Sequence, residues 1–128
     1  MPVADSTDRY RRSVLIKWIR CRVTDPAAFD RGQRGWGALA DVPGFLGQRG
    51  GWGEPGIAHV VAFWRSAADH AAFLAGSHDA LAAAQQGSYA EIDVRLFEGD
   101  PALVAGDLRR VVGEVVALEP SWTVPPAV

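Results

Sequence analysis

Four stretches of the chain carry the hydrophobic patterns of β-strands. Residues 13–23 and 57–64 are almost continuously apolar, which is typical of strands that are covered on both faces. Residues 88–97 alternate, with apolar side chains on one face and charged side chains on the other. Residues 45–52 form a glycine-rich strand that ends in a turn. The pattern therefore predicts four strands.

Two helices connect these strands. Asp25 followed by Pro26 is typical of an N-cap and a first helical residue, and Ser66 with Asp69 has the spacing of a capping box. The apolar periodicity extends these helices to about residues 40 and 86, with Gly76 a candidate interruption of the second. The order βαββαβ predicts a ferredoxin-like α+β fold, with a four-stranded antiparallel sheet and two helices on one face.

A chain of 128 residues fits a single domain. We expect a flexible N-terminal arm at residues 1–12, the ferredoxin-like domain at 13–98, and a C-terminal extension at 99–128 that packs on the body or on a partner chain. Because the first and third strands are apolar on both faces, the face without helices is expected to be buried by a second copy. The predicted assembly is a homodimer, sheet against sheet, in the manner of a dimeric α+β barrel.

Charge and composition narrow the classes of partner. The formal net charge of −2 gives no basic surface for nucleic acid or for an anionic membrane. No apolar run approaches the roughly 18–20 residues that span a bilayer, and the first residues lack the apolar core of a signal peptide. Cys21 is the single cysteine, so no disulfide framework exists, and a cytoplasmic location is expected.

The stretch GFLGQRGGWG at residues 44–53 does not have the glycine spacing of a dinucleotide-binding loop. As a strand, its glycines leave space for a ligand or for the close approach of another backbone. The three histidines include no pair spaced four residues apart, so no metal site is expected.

Amide and indole side chains make a candidate binding site between the sheet and the helices. Gln33 falls on the apolar face of the first helix, and Gln48 lies between apolar neighbours in the second strand. Buried amides need partners, so these two side chains either bond to each other or to nearby backbone, or they bind a ligand. Trp36 and Trp52 are candidate walls for a flat aromatic substrate.

Two side chains are candidate catalytic groups. Lys17 is the single lysine of a chain with twelve arginines, and it lies inside an apolar strand, where an amine has a tunable pKa. The alternative is that Lys17 pairs with a carboxylate or reaches solvent from a sheet edge. His78 follows the candidate helix interruption and is placed to act as a general base, or it is an ordinary surface or capping residue.

The segments LIKWIRCRV, GFLGQRGGW, AFW, FLAGSHDAL and YAEIDVRLF together resemble a family of uncharacterised bacterial dimeric α+β-barrel proteins, related in fold to the antibiotic-biosynthesis monooxygenases. The resemblance covers residues 14–97. The wider superfamily includes cofactor-free oxygenases and haem-degrading enzymes, and both use an asparagine. This chain has no asparagine, so neither residue set is carried over.

The resemblance and the candidate residues together predict a small-molecule enzyme of specialised metabolism that needs no cofactor. It would act as a monooxygenase, or as a cyclase or isomerase, on a flat aromatic or polyketide-like substrate. A non-catalytic ligand-binding or stress accessory protein is the first alternative. The second is a haem-binding protein with His70 or His78 as the axial ligand, which the missing asparagine disfavours.

Overall fold

The computed structural model of this protein describes residues 13–76 and 78–127. The elements up to residue 99 are β1 (Val14–Val23), α1 (Pro26–Arg34), a 3-10 helix (Gly35–Asp41), β2 (Phe45–Trp52), β3 (Ile57–Trp64), α2 (Ala67–Ala75), α3 (His78–Ala83) and β4 (Tyr89–Gly99). The extension adds a 3-10 helix (Pro101–Val104), α4 (Arg109–Val112), β5 (Ala117–Leu118) and a last 3-10 helix (Pro120–Trp122). The predicted arm at residues 1–12 lies outside the described residues. No helix in the described part of the chain could cross a membrane.

All strands pair antiparallel in one sheet, in the order β4-β1-β3-β2-β5. The predicted α+β fold with an antiparallel sheet is therefore confirmed, but the sheet has five strands and not four. The fifth strand comes from the extension, where Leu118 pairs with Gly51 and Val124 forms a bridge with Gln48. These pairs occupy the edge of β2, which would otherwise expose unpaired backbone groups.

The glycines of β2 make room for this fifth strand. A Cβ atom at Gly51 would collide with the carbonyl oxygen of Ala117, and a Cβ atom at Gly50 would lie 3.1 Å from the ring of Trp122. Of the two uses that the sequence leaves open for these glycines, the structure shows the approach of another backbone.

Both helices begin where the capping signals predict. The Asp25 carboxylate accepts a hydrogen bond from the Ala28 amide, and the Ser66 hydroxyl accepts one from the Asp69 amide. The first α-helix ends at Arg34, earlier than predicted, and continues as a 3-10 helix from Gly35. Glycine costs about 1 kcal/mol relative to alanine inside an α-helix, and two glycines lie in this segment. The second helix is divided after Ala75, as the interruption at Gly76 suggested.

The two faces of the sheet have different coverings. The face that carries Leu15 and Lys17 packs against α1, α2 and α3, and we call it the helix-covered face. The opposite face carries Ile16 and Phe63, which pack with Leu108 and other apolar side chains of residues 101–116. We call it the extension-covered face. The chain's own extension therefore lies where the sequence placed a second copy, and the homodimer stays a prediction.

Polar contacts fasten the extension to the body. The Arg49 guanidinium donates to the carbonyl oxygens of Gly106 and Val104, at 2.6 and 2.8 Å. The Trp122 indole donates to the Asp30 carboxylate at 2.8 Å. Arginine supplies several donors in a fixed plane, so one side chain satisfies carbonyl groups at the end of a short helix.

Candidate functional site

A cavity of about 350 Å³ lies between the helix-covered face and the helices. This volume is within the range of small-molecule sites. Its polar lining comes from both layers, and most of the remaining lining is apolar or aromatic. The polar and histidine side chains of the lining are Lys17, Gln33, Gln48, His70, His78, Gln85 and Tyr89.

The floor of the cavity is a row of residues across three adjacent strands. Ala62 of β3 pairs with Lys17 of β1 on one side and with Gln48 of β2 on the other. Neighbouring strands are about 4.8 Å apart, so the Cα atoms of Lys17 and Gln48 are separated by about 10 Å. Because alanine is small, the space above Ala62 stays open between the two polar side chains.

A chain of hydrogen bonds fixes the orientation of Gln33. The Trp36 indole donates to Oε1 of Gln85 at 2.7 Å, so the amide nitrogen of Gln85 faces the other way. That nitrogen donates to Oε1 of Gln33 at 2.9 Å and to the Phe29 carbonyl at 3.2 Å. An indole N–H can only donate, so the direction of the whole chain is set. The amide nitrogen of Gln33 is consequently left without a partner among the described residues.

Buried side-chain nitrogens without a partner collect in this cavity. Among the described residues, four buried nitrogens have no hydrogen-bond partner: Gln33 Nε2, Gln48 Nε2, Trp64 Nε1 and His70 Nε2. All four residues line the cavity. Each unsatisfied buried polar group costs about 1–3 kcal/mol, so four of them in one place are typical of a binding site and not of an ordinary core.

Lys17 adds a fifth polar nitrogen without a partner. Its side chain is buried, with 7% of the residue exposed. No hydrogen bond or ion pair of Lys17 is present among the described residues, and none of the lining side chains is an aspartate or a glutamate. Desolvation by burial lowers the pKa of this amine. The alternative of a carboxylate partner for Lys17 is therefore not observed.

Two histidines line the cavity in different environments. His70 of α2 is 4% exposed and lies edge-on to Trp64, with ring centroids 5.5 Å apart. Burial is the main reason that the pKa of His70 falls to about 4, and the charges of Lys17 and His78 lower it further. His70 is therefore neutral at pH 7. His78 is partly exposed beside Trp36 and Phe73, and its Nδ1 lies 3.1 Å from the Asp79 carboxylate.

The rim of the cavity is apolar and exposed. Ile92, Val94 and Leu96 on β4 are 46–51% exposed, and Leu74 of α2 is 41% exposed. All four line the cavity, so an apolar ligand would contact them on entry. The opening lies along β4, which is an edge strand of the sheet.

The structure brings together most of the side chains that the sequence predicts for the site. Lys17, Gln33, Trp36, Gln48 and His78 line the same cavity. Gln33 and Gln48 do not bond to each other, because Gln85 is the partner of Gln33.

Trp52 is the exception among the predicted residues. It is not part of the cavity lining, because it packs against Phe29 and Trp122 at centroid distances of 6.3 and 5.4 Å. Trp52 lies on the same face of β2 as Gln48, as the alternation along the strand predicts, but the extension covers that end of β2. Trp64 lines the cavity in its place, and its buried indole nitrogen has no partner among the described residues.

Sequence reasoning missed Gln85, considered His70 only as a haem ligand, and did not assign Trp64 to the site. A weak signal existed for His70, which shares an apolar helix face with Phe73 three residues later. Gln85 gives no such signal, because it follows α3 and contacts residues about 50 positions earlier.

Comparisons with known proteins agree with this architecture. A crystal structure of a protein of unknown function, NE2512 from Nitrosomonas europaea, aligns with a TM-score of 0.58 and 17% identity, over 70% of this chain and 91% of that one. SnoaB, a cofactor-independent oxygenase from Streptomyces nogalater, aligns with a TM-score of 0.55 and 17% identity, over 67% of this chain and 91% of that one. At this identity the two structures show a shared fold.

Sequence relatives place the chain more closely. The uncharacterized protein YdbC of Bacillus subtilis is 33% identical over 121 residues, which is 87% of this chain and 98% of that protein. A family model for a domain of unknown function, DUF4937, matches residues 15–97, which is well over half of the chain. The cavity, its floor and all of its polar side chains lie within that segment. The protein therefore belongs to the DUF4937 family.

Proposed function

We propose that this protein is a cofactor-independent enzyme that binds a flat, oxygen-bearing aromatic or polyketide-like molecule in the cavity. Its reaction is an oxygenation, or a cyclisation or isomerisation that begins with the same proton transfer. The observation that carries the proposal is the set of partnerless donors around an apolar space. The likeness in fold to an oxygenase that needs no cofactor supports the reaction class.

The donors define the polar part of the ligand. The ammonium form of Lys17 and the indole N–H groups can only donate, and the Gln85 chain fixes Gln33 as a donor. Carbonyl, phenol and enol oxygens are the matching acceptors. The aromatic rings of Trp36, Trp64 and Phe73 fit the flat part of such a molecule.

The chemistry begins with removal of a proton. His78 at the cavity mouth accepts a proton from a phenol or from a carbon next to a carbonyl, or Lys17 does so in the neutral form that its lowered pKa favours. A Lys17 amine that takes the proton becomes an ammonium beside the new oxyanion. Gln33, Gln48 and Trp64 hold the oxygen on which negative charge develops. In the oxygenation, the resulting carbanion reacts with O2. One oxygen atom becomes a new carbonyl on a CH2 carbon, and the other leaves as water, so the substrate itself supplies the electrons.

A protein that binds such a molecule without reaction is the second candidate. The lining favours it, because among the described residues it contains no aspartate or glutamate that could serve as a general base. Binding and turnover therefore need separate measurements.

The test is a panel of hydroxylated naphthalenes and anthrones. Binding is followed by the fluorescence of the cavity tryptophans, and turnover by O2 consumption and product mass. We expect Gln48→Ala and His78→Ala to lose turnover while remaining folded, and the exposed control Gln86→Ala to behave as wild type. Product formed without O2 uptake identifies a cyclase or isomerase. Saturable binding without product supports the second candidate.

Two results would count against both candidates. One is the absence of binding by any member of the panel. The other is a Soret band on addition of haemin that is lost in His70→Ala or His78→Ala, which would identify a haem-binding protein.

A further inference from the structure

When Lys17 is protonated, the cavity holds a positive charge that no carboxylate among the described lining residues balances. Lys17 is its cationic side chain, and no aspartate or glutamate lines it. Cys21 also lines the cavity, and burial raises the pKa of its thiol to about 11, so it supplies no negative charge near neutral pH. The remaining titratable side chains that face this space are His70, His78 and Tyr89.

The neutral polar groups of the lining also favour a ligand that is negative and accepts hydrogen bonds. Trp64 and Gln33 line the cavity with N–H groups that carry partial positive charge and have no partner among the described residues. Gln48 contributes a buried amide nitrogen from the opposite end of the floor. A buried charge needs a partner, and the described residues provide none for Lys17. The missing partner is negative and accepts hydrogen bonds.

The geometry gives that partner a position. Lys17 and Gln48 flank Ala62, with their Cα atoms about 10 Å apart across two strand spacings. Trp64 lies two residues after Ala62 in β3, so both side chains point to the same face. A charged oxygen above Ala62 is within reach of donors from three strands, while an attached ring extends toward the apolar rim on β4.

We infer that the ligand of this cavity is an oxyanion, a flat ring compound whose ionised oxygen lies above Ala62 between Lys17 and Gln48. This inference rests on the proposed function, because it specifies the substrate class of the same site. The charged oxygen belongs either to a carboxylate that arrives ionised or to a phenol or enol that ionises in the cavity.

The experiment uses two probes of the same shape. 1-Hydroxy-2-naphthoate is an anion at pH 7, and 1-hydroxy-2-naphthamide is its neutral counterpart. We expect the wild-type protein to bind the naphthoate at least tenfold more tightly than the amide. Lys17→Met, which keeps the length of the side chain, should weaken naphthoate binding about tenfold or more and change amide binding less than twofold.

Two control variants distinguish an effect of the Lys17 charge inside the cavity from an effect of the overall charge of the protein. Lys17→Arg keeps the charge and should keep most of the preference for the naphthoate. Arg22→Met removes a charge from the opposite face of the same strand, where Arg22 is half-exposed and paired with Glu91. It should leave both affinities unchanged. An equal loss in Arg22→Met and Lys17→Met would overturn the inference.

A third probe identifies the source of the charge. 4-Nitrophenol absorbs in the visible range only as its phenolate. If phenolate absorption appears on binding at a pH where the free probe is neutral, the cavity ionises phenols. If only the naphthoate shows the Lys17-dependent preference, the natural ligand is a carboxylate.

The failures of the two proposals are distinguishable. Equal affinity for naphthoate and amide, together with no phenolate absorption from bound 4-nitrophenol, would overturn the oxyanion inference and leave the proposed binding function intact. No binding of either naphthalene would overturn the proposed function and the inference together.

Discussion

The two faces of the sheet treat their buried polar groups in opposite ways. On the extension-covered face, His59 accepts a hydrogen bond from the Trp18 indole at 3.0 Å and donates from its other ring nitrogen to Glu114, at 2.9 Å. On the helix-covered face, His70 is equally buried but its Nε2 has no partner among the described residues. A satisfied histidine contributes to the fold, whereas an unsatisfied one costs stability and is retained for another reason.

The largest expected effect on stability comes from removing a hydrogen-bonded histidine on the extension-covered face. His59→Ala removes a side chain that is 1% exposed, leaves space in the core and takes away the acceptor of the Trp18 indole. We expect a loss of about 2–4 kcal/mol in the free energy of unfolding, measured by urea denaturation.

The matched control for His59 lies on the same face. Glu91→Ala removes an exposed partner of Arg22, and its effect should stay within about 0.5 kcal/mol. A His59→Ala protein as stable as Glu91→Ala would show that the contacts of His59 do not hold the extension in place.

The pH dependence of stability tests the unsatisfied histidine of the helix-covered face, His70. The pKa of His70 is about 4 in the folded protein, against an ordinary value of 6.5. The unfolded chain therefore binds more protons between these values, so the free energy of unfolding falls as the pH drops from about 6.5 toward 4. Above pH 6.5 His70 makes no such contribution. The full difference is up to about 3 kcal/mol.

Comparison with His70→Phe isolates this effect. Carboxylates such as Asp30 and Asp69 have lowered pKa values and also reduce stability in acid, but they do so in both proteins. The difference in unfolding free energy between wild type and His70→Phe should therefore change between pH 7 and pH 4.5. A constant difference would show that His70 is not buried in its neutral form.

Strand parity and helix periodicity were sufficient to place part of the site. They separate Gln48 from Arg49 on β2 and assign Gln33 to the apolar side of α1, and both Gln48 and Gln33 line the cavity. They did not show which face Lys17 shares. These rules depend on local geometry, which the sequence encodes directly.

The remainder of the site and the covering of the sheet depend on contacts between distant residues. Gln85 lies 52 positions from Gln33, and Glu114 lies 55 positions from His59. The sequence left the extension free to pack on the body or on a partner, because an apolar stretch does not state which surface it covers. Trp52 was wrongly assigned to the cavity for the same reason, since Trp122 covers it.

The smallest expected effect on the free energy of unfolding is an increase, whereas His59→Ala lowers it. Gln48→Leu replaces a buried amide, whose nitrogen has no partner among the described residues, with an apolar side chain of similar size. Removing an unsatisfied polar group should raise the free energy of unfolding by about 1 kcal/mol, while ligand binding falls because a donor on the cavity floor is lost. Urea denaturation and naphthoate titration of the same protein measure the two quantities, and the exposed Gln86→Leu should change neither. A gain in stability with a loss of binding is the signature of a residue kept for its ligand. A loss of both would place Gln48 with His59, among the residues that hold the fold.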